Sequence, residues 1–194
     1  MAFNIETFKS NLGKVRGIAP TSKFEVYIWN KADSILSKMN ANKELRFLAF
    51  SADIPGISFS PDLIMLNGYG RINEIPIRTI ISDCVIEFYM DSNNHAYEFF
   101  HSWLNTVSNF NGADYKTSNF DLLNYPSEYY ADVFINFKNN DGTDIFTTEL
   151  IDAYPLELGG VNLDWNNENL LASSQVRIGF RAIKTKFFKT PNNI

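Results

Sequence analysis

The chain of 194 residues carries 17 Lys and Arg against 22 Asp and Glu, a net charge of -5. One folded domain over residues 1–194 suits this length, and the acidic balance argues against a protein that grips nucleic acid through its phosphates. Cys84 is the single cysteine, which excludes an intrachain disulfide and a zinc site built from several thiolates. The sequence has no run of about 20 apolar residues, so we expect a soluble protein made in the cytoplasm, without membrane contact.

Strand patterns alternate with punctuated segments in the first half of the chain. Residues 1–22 contain Gly and Pro breaks and are predicted to form an N-terminal arm. Lys23–Trp29 alternates apolar and polar side chains with the period of a half-buried strand, and Leu45–Ala52 predicts a second strand. The polar insertion 31–43 between them is expected to be an exposed loop. Residues 53–80 are predicted to form an extended loop or a ragged hairpin, because Pro and Gly interrupt them.

A strong strand and one helix are predicted in the middle of the sequence. Asp83–Met90 alternates strictly, and Asp91-Ser92-Asn93-Asn94 then supplies residue types that favour a helix N-cap. The apolar residues that follow have helical spacing: Ala96, Phe99, Phe100, Trp103, Leu104 and Val107. This spacing predicts one amphipathic helix over residues 94–109.

Strands return in the C-terminal part, after a polar insertion over residues 109–127. Tyr129–Lys138 alternates, and Asn139–Gly142 predicts a hairpin turn because Asn, Asp and Gly tolerate positive φ. A return strand over Thr143–Ala153 and a long closing strand over Gln175–Ala182 follow the same pattern.

The order of these elements predicts the fold class, with residues 185–194 as a C-terminal tail. We expect a mainly β fold, an antiparallel β-barrel or sandwich with one packed amphipathic α-helix and extended loop or arm excursions. Sequence repeats and heptads are missing, so a solenoid and a coiled coil are not expected.

Few residues suggest chemistry. Glu98 and His101 have the Glu-x-x-His spacing of di-iron bundles, but that site needs a second copy on a facing helix, and only one helix is predicted. His95 lies about 240° around the helix from His101, which excludes a metal shared by the two. Cys84 belongs to the apolar face of a strand, where a thiol behaves as a small inert hydrophobe.

Glycine loops and charged residues give no stronger signal. Gly68-Tyr69-Gly70 lacks the third glycine and the following helix of dinucleotide-binding loops. Four cations suggest a basic patch, although the lysines among them suit the solvation of a strand end better: Arg71, Lys184, Lys186 and Lys189. Scattered carboxylates cannot be paired from sequence: Asp53, Glu74, Asp132, Asp144 and Asp164. We therefore predict no catalytic residue, no cofactor and no metal site, and a protein that is not an enzyme.

The C-terminal segment has a distinctive order of motifs. The return strand is expected to break at Tyr154-Pro155, Gly159-Gly160 lie in the loop that follows, and Leu163-Asp164-Trp165 precede the closing strand with its apolar Val176–Phe180. This order resembles the C-terminal signature of the tail tube proteins of contractile-tailed bacteriophages (myoviruses), of the T4-like type. The resemblance implies the phage tail tube fold.

Shorter motifs extend the likeness from Ser22 to Ile183. Ser22–Val26 resembles the first strand of that family, Ala52–Gly56 resembles the Pro-Gly end of its second strand, and Phe99–Trp103 resembles its Phe-x-x-Trp helix. Three segments are extra to the compact family pattern: 31–43, 109–127 and the tail.

The resemblance implies a structural virion protein that assembles with itself. Such proteins form hexameric rings that stack into the inner tail tube, the conduit for DNA ejection. It further implies the tail sheath, the baseplate or tube initiator and the tail terminator as partners, and assembly in the host bacterial cytoplasm. Residues 1–20 and 58–76 are expected to make contacts between stacked rings and to be poorly ordered in an isolated subunit.

Other functions stay open at this point. The chain could be the baseplate-proximal tube initiator, or the inner tube protein of a related contractile injection or type VI secretion system. A monomeric β-barrel ligand-binding module would also use many aromatic residues, and its oligomeric state would distinguish it. DNA is expected to pass the lumen without specific binding, although Arg71 or Arg177 could line the lumen beneath an acidic exterior.

Overall fold

The computed structural model describes residue 5 and residues 21–30, 48–64, 73–110, 123–161, 163 and 171–188. Within these ranges the protein is mainly antiparallel β-structure with one packed helix, which confirms the predicted fold class. The elements are, in chain order, β1 (Phe24–Asn30), β2 (Ala49–Ala52), β3 (Ile57–Ile64), β4 (Asn73–Ile81), β5 (Cys84–Tyr89), α1 (His95–Val107), α2 (Pro126–Tyr129), β6 (Ala131–Lys138), β7 (Asp144–Leu158), β8 (Ser173–Gly179) and β9 (Ala182–Phe187). The predicted insertion 31–43 lies outside the described residues, as does most of 109–127.

Seven of the strands form one bent antiparallel sheet in the order β1-β6-β7-β8-β5-β2, with β9 paired to β7. Its first part, sheet A, consists of β1, β6, β9 and the first part of β7, and its second part, sheet B, consists of β2, β5, β8 and the last part of β7. The strand register places the buried apolar side chains of neighbouring strands on the same face of each sheet. Val26 lies opposite Ile135, and Ile86 lies opposite Val176. The strand period of two therefore sends one apolar face of each sheet into a common core.

The helix α1 closes this core. Phe99, Phe100 and Trp103 are fully buried, and the Phe100 ring lies 5.1 Å from the Phe88 ring of β5. The Trp103 indole N–H donates to the carbonyl of Tyr129 at 2.7 Å, which satisfies the one polar atom of this buried side chain. The helical spacing of the apolar residues thus identifies the buried face of α1. The N-terminal cap is supplied by a different residue from the one directly before the helix. Asn94 makes no side-chain cap bond, and Asp91 Oδ1 accepts the His95 N–H instead.

The predicted strand break at Tyr154-Pro155 is wrong. β7 continues through both residues for a total of 15 residues, and Pro155 lies opposite Ile178 beside an irregular register, where a missing N–H is tolerated. The irregular backbone sits at Asp152, which has a φ of 52° and whose N–H donates to Asp132 Oδ1 at 3.1 Å. At this corner β7 leaves sheet A and enters sheet B.

The closing strand is also different from its prediction. It is divided into β8 and β9 at Phe180 and Arg181, because the chain follows β7 around the same corner. The Arg181 N–H donates to the carbonyl of Ile151 at 3.0 Å, and the Arg181 guanidinium lies 3.7 Å from Asp152. Residues 185–187 of the predicted tail belong to β9, and Tyr129 belongs to α2 rather than to a strand.

Candidate assembly surface

The hairpin of β3 and β4 carries large apolar side chains that remain exposed to solvent. Residues 57–64 pair with 73–81 in an antiparallel register, with Ile57 opposite Ile81 and Phe59 opposite Thr79. Ile57, Phe59 and Ile81 therefore share one face, whereas beyond the register shift at Ser60 and Pro61 Ile75 lies opposite Asp62 on the other face. Exposed large apolar residues thus occur on both faces: Ile57, Phe59, Ile75, Ile77, Ile80 and Ile81. Phe59 and Ile77 are each 63% exposed, values typical of a surface that a partner covers.

The second face is mixed. Ser58 and Ser60 lie on it opposite Ile80 and Arg78. The hairpin joins the body at its base, where the Gly56 N–H donates to Ser82 Oγ at 2.9 Å and the Ser82 N–H donates to the Gly56 carbonyl at 3.2 Å. Within the described ranges the two strands pair only with each other. The hairpin thus exposes apolar side chains on both of its faces.

Sequence reasoning missed these exposed side chains. Pro61, Gly68 and Gly70 interrupt the segment and predict a ragged hairpin arm, yet Ile57-x-Phe59 and Ile75-x-Ile77 keep a period of two within each strand. The structure pairs Pro61 with Pro76 next to a register shift, so the two prolines meet where the ladder is already irregular. The alternation was the signal that could have found it.

A second apolar surface lies on the outer face of sheet A, along β1 and β6. Tyr27, Trp29, Phe134 and Asn136 line a shallow groove of about 310 Å³, in which Trp29 is 68% exposed. Asn136 Oδ1 is buried and has no hydrogen-bond partner among the described residues. A buried acceptor without a donor costs stability.

A charged network borders this groove at one end. Glu25 lies opposite Asn136 in the register, accepts a hydrogen bond from the Tyr27 hydroxyl and lies 3.2 Å from Lys138 Nζ. The hydrogen bond to Glu25 raises the pKa of Lys138, partial desolvation opposes this shift, and the nearby charges of Glu25 and Asp144 add to it. Tyr27 is thereby fixed on the groove wall, since its hydroxyl is tied to a carboxylate.

The residues weighed for catalysis do not form a site. Cys84 is fully buried, and desolvation together with the charge of Asp53 raises its pKa to about 12, so the thiol stays protonated and inert. Glu98 is exposed on α1, while the His101 ring packs 5.2 Å from Phe110. His95 pairs instead with Asp91, at 2.7 Å from Nδ1 to Oδ2.

The predicted charged residues are dispersed over the sheets. Lys184 lies 4.0 Å from Glu149, Lys186 lies over the Phe188 ring, and Arg177 lies 3.2 Å from Glu157. Asp144 lies 3.4 Å from Lys138 Nζ and Asp132 supports the β7 corner. The remaining candidates lie outside the described residues or have undescribed side chains: Gly68-Tyr69-Gly70, Arg71, Glu74, Asp164 and Lys189.

The described part of the chain contains neither a cluster of metal-ligating side chains nor a helix suited to a membrane. No group of three or more His, Cys, Asp and Glu side chains there could hold a metal ion. Likewise, none of the helices that the structure describes has the length and apolar character needed to cross a bilayer.

Solved structures share this fold at low sequence identity. A chain of the extended sheath-tube complex of the PVC extracellular contractile injection system is 13% identical with a TM-score of 0.62, covering 96% of this chain and 100% of that chain. The tube-terminating cap of the anti-feeding prophage is 15% identical with a TM-score of 0.60, covering 88% of this chain and 92% of that chain. No curated protein sequence matches the chain.

The sequence itself assigns the family. The family model described as phage tail tube protein matches residues 19–185, which includes both sheets, the helix and the β3–β4 hairpin. The chain therefore belongs to the phage tail tube protein family.

Proposed function

We propose that this protein is the tail tube subunit of a contractile-tailed phage, in which hexameric rings stack into the inner tube that conducts DNA during ejection. Membership of the tail tube family supports the tube role. The observation that carries the proposal is the set of exposed apolar side chains on the β3–β4 hairpin, because a free monomer would leave them in contact with water.

The energetics favour assembly over a monomer. An isolated two-stranded hairpin is marginally stable in water, and burying one large apolar side chain contributes about 1.5–3 kcal/mol. The exposed side chains of the hairpin, Phe59 and Ile77 among them, thus provide a driving force for association with another subunit. The outer edges of β1 and β9 are also unpaired within the described ranges, and such edges suit contacts between subunits.

A tube subunit inside a contractile tail would contact the other components of that tail. We propose contacts with the tail sheath around the tube, with the baseplate or tube initiator at one end and with the tail terminator at the other. The protein would then be a virion component of T4-like type, assembled in the host bacterial cytoplasm. Its role is structural and not enzymatic.

The charge balance supports a conduit that does not hold DNA. Arg177, one of the two arginines considered for the lumen, is neutralised by Glu157 at 3.2 Å. Phosphate contacts would give binding that weakens with salt by a slope of about -0.9 per neutralised phosphate. Fluorescence titration of short duplex DNA with assembled tubes at low and moderate salt is expected to show weak binding; tight, salt-sensitive binding would contradict the conduit.

Oligomeric state tests the proposal directly. Sedimentation of the purified protein over a range of concentrations is expected to show rings, and negative-stain microscopy is expected to show rings of six subunits and stacked tubes. A protein that stays monomeric at high concentration, without rings or filaments, would instead support a monomeric ligand-binding module.

A further inference from the structure

We propose that the outer face of sheet B carries a binding pocket for a small alkylammonium cation, with the Glu87 carboxylate as its anionic anchor. The pocket has a volume of about 350 Å³, within the range of small-molecule sites in proteins. Residues of β2, β5, β8 and the segment after β7 line it, among them Phe50, Glu87, Gly159, Gly160, Ser173 and Gln175. The pocket is formed within one subunit, so this inference goes beyond the proposed function and does not depend on it.

Two neighbouring strands of sheet B form the floor of the pocket. Glu87 of β5 lies opposite Gln175 of β8, and two positions further along Tyr89 lies opposite Ser173. Side chains two positions apart along a strand share a face of the sheet. These four side chains therefore project from one side of sheet B, away from the core that holds Phe88.

The two walls of the pocket are held in place by contacts within the subunit. A register shift in β2 leaves Phe50 as an extra residue, and its ring stacks on Tyr89 with 4.2 Å between the ring centroids. On the other side, the Gly159 N–H donates to the Gln175 carbonyl at 2.7 Å, and Ser174 Oγ donates to the Gly159 carbonyl at 2.8 Å. A Cβ on Gly159 would lie 2.8 Å from Gln175 Cγ, so glycine is needed where this wall meets the floor.

The pocket contains one charge that the subunit leaves uncompensated. Glu87 is half-buried and has no ion pair or hydrogen-bonded side chain within the described chain. Arg177 lies two residues beyond Gln175 on the same face of β8, but its guanidinium is paired with Glu157 at 3.2 Å. The described residues that line the pocket include no cation. A carboxylate that is partly removed from water is stabilised by a cation that binds beside it.

The remaining groups suit a cation that has an aliphatic part. Gln175 and Ser173 add an amide oxygen and a hydroxyl oxygen to the carboxylate, and an ammonium group donates three hydrogen bonds and accepts none. The Phe50 ring supplies an aromatic surface for methylene groups and for a cation–π contact. A neutral ligand would leave Glu87 uncompensated. These features favour a primary alkylammonium group, carried by a free diamine or by a lysine side chain.

Titration with putrescine, followed by ligand-observed NMR, tests the pocket. Putrescine is expected to bind saturably, with one site per subunit, whereas its uncharged diol analogue of the same chain length is not. Glu87→Gln should weaken binding by about tenfold or more, because it removes the charged acceptor. Phe50→Leu should weaken it by about two- to fivefold through the lost cation–π contact. Glu98→Gln removes the same charge from the exposed surface of α1 and should leave binding unchanged.

Three outcomes would overturn the inference. Equal weakening by Glu87→Gln and Glu98→Gln would show diffuse attraction to an acidic protein, and binding of the diol as tight as that of putrescine would show that charge plays no part. The third outcome is unchanged binding in both pocket variants, or no saturable binding of putrescine at millimolar concentration. Thermal unfolding checks that each variant is folded.

A second probe separates the two sources of the ammonium group. Nα-acetyl-lysine methylamide carries the same group on a peptide-like unit. Tighter binding of this probe than of putrescine would support the pocket as a site for a lysine of a partner protein, and tighter binding of putrescine would support it as a site for a free diamine. In either case Glu87→Gln is expected to weaken the binding.

Discussion

Two hairpins of this chain share an alternating pattern of apolar side chains, but one hairpin is buried in the core and the other is exposed to solvent. In the β6–β7 hairpin the inward side chains Val133, Ile135 and Leu150 are buried, whereas in the β3–β4 hairpin Phe59 and Ile77 remain largely exposed. Both hairpins are antiparallel and both have a register shift. Their difference lies in what covers them: sheet B and α1 cover the first, and no described part of the chain covers the second.

The comparison shows that alternation predicts a buried face without saying which molecule buries it. Within one subunit the β6–β7 hairpin gains its stability from the shared core. The β3–β4 hairpin exposes comparable apolar side chains and, according to the proposed function, buries them against another subunit. Substitutions on the two hairpins should therefore separate folding from assembly.

The largest effect is expected from Leu150→Ala, in the buried hairpin. Leu150 is fully buried, so the substitution should lower the free energy of unfolding by about 2–5 kcal/mol through lost burial and the remaining cavity. Ile77→Ala is the matched substitution in the exposed hairpin and should change it by less than about 0.5 kcal/mol. Urea unfolding of the subunit measures both, and ring formation by sedimentation should fail for Ile77→Ala. Equal losses of stability would remove the distinction between the hairpins.

A smaller effect is expected at the turn of the buried hairpin. Gly142 has a φ of 78°, and the turn is closed by the Gly142 N–H donating to the Asn139 carbonyl at 3.0 Å. Gly142→Ala should cost about 1–2 kcal/mol because of this φ, since open space surrounds the added Cβ. Gly160→Ala also enters open space and lacks the positive φ, so thermal unfolding should show little or no loss for this control. A large loss of stability for both variants would indicate that steric crowding by the added Cβ, and not the positive φ of Gly142, causes the effect.

The smallest effect concerns the cap of α1, the helix that covers the buried hairpin. Desolvation tends to raise the pKa of Asp91, but its hydrogen bonds with His95 outweigh this and lower the pKa below the usual 3.8. The ionised Asp91 carboxylate therefore stabilises the folded state fully at pH values above its pKa in the unfolded chain. This contribution disappears as the pH falls through the lowered pKa of the folded state. The stability difference between wild type and Asp91→Asn should shrink from about pH 5 to about pH 3. Asp141→Asn in the exposed turn is the control, and a pH-independent difference at Asp91 would refute the capping role.

Local sequence rules predicted several elements of this fold. The spacing of Phe99, Phe100 and Trp103 identified the buried face of α1, and the Asn139–Gly142 turn forms as its residue types indicate. Local sequence rules did not predict the corner of β7, where the strand passes from sheet A to sheet B. The corner at Asp152 is held by Asp132 and by the backbone of Arg181, 20 residues and 29 residues away along the chain, and no local pattern reports such contacts.

Sequence by itself determined the mainly β class, the position of the long helix and the family, because the period of side-chain burial and short motifs are written along the chain. Only the tertiary structure decided that β7 serves both sheets, that Asn136 Oδ1 is left without a described donor, and that apolar side chains of the β3–β4 hairpin stay exposed. The physical reason is that alternation states which side chains avoid water, whereas the element that covers them depends on contacts between residues far apart in sequence or on another subunit.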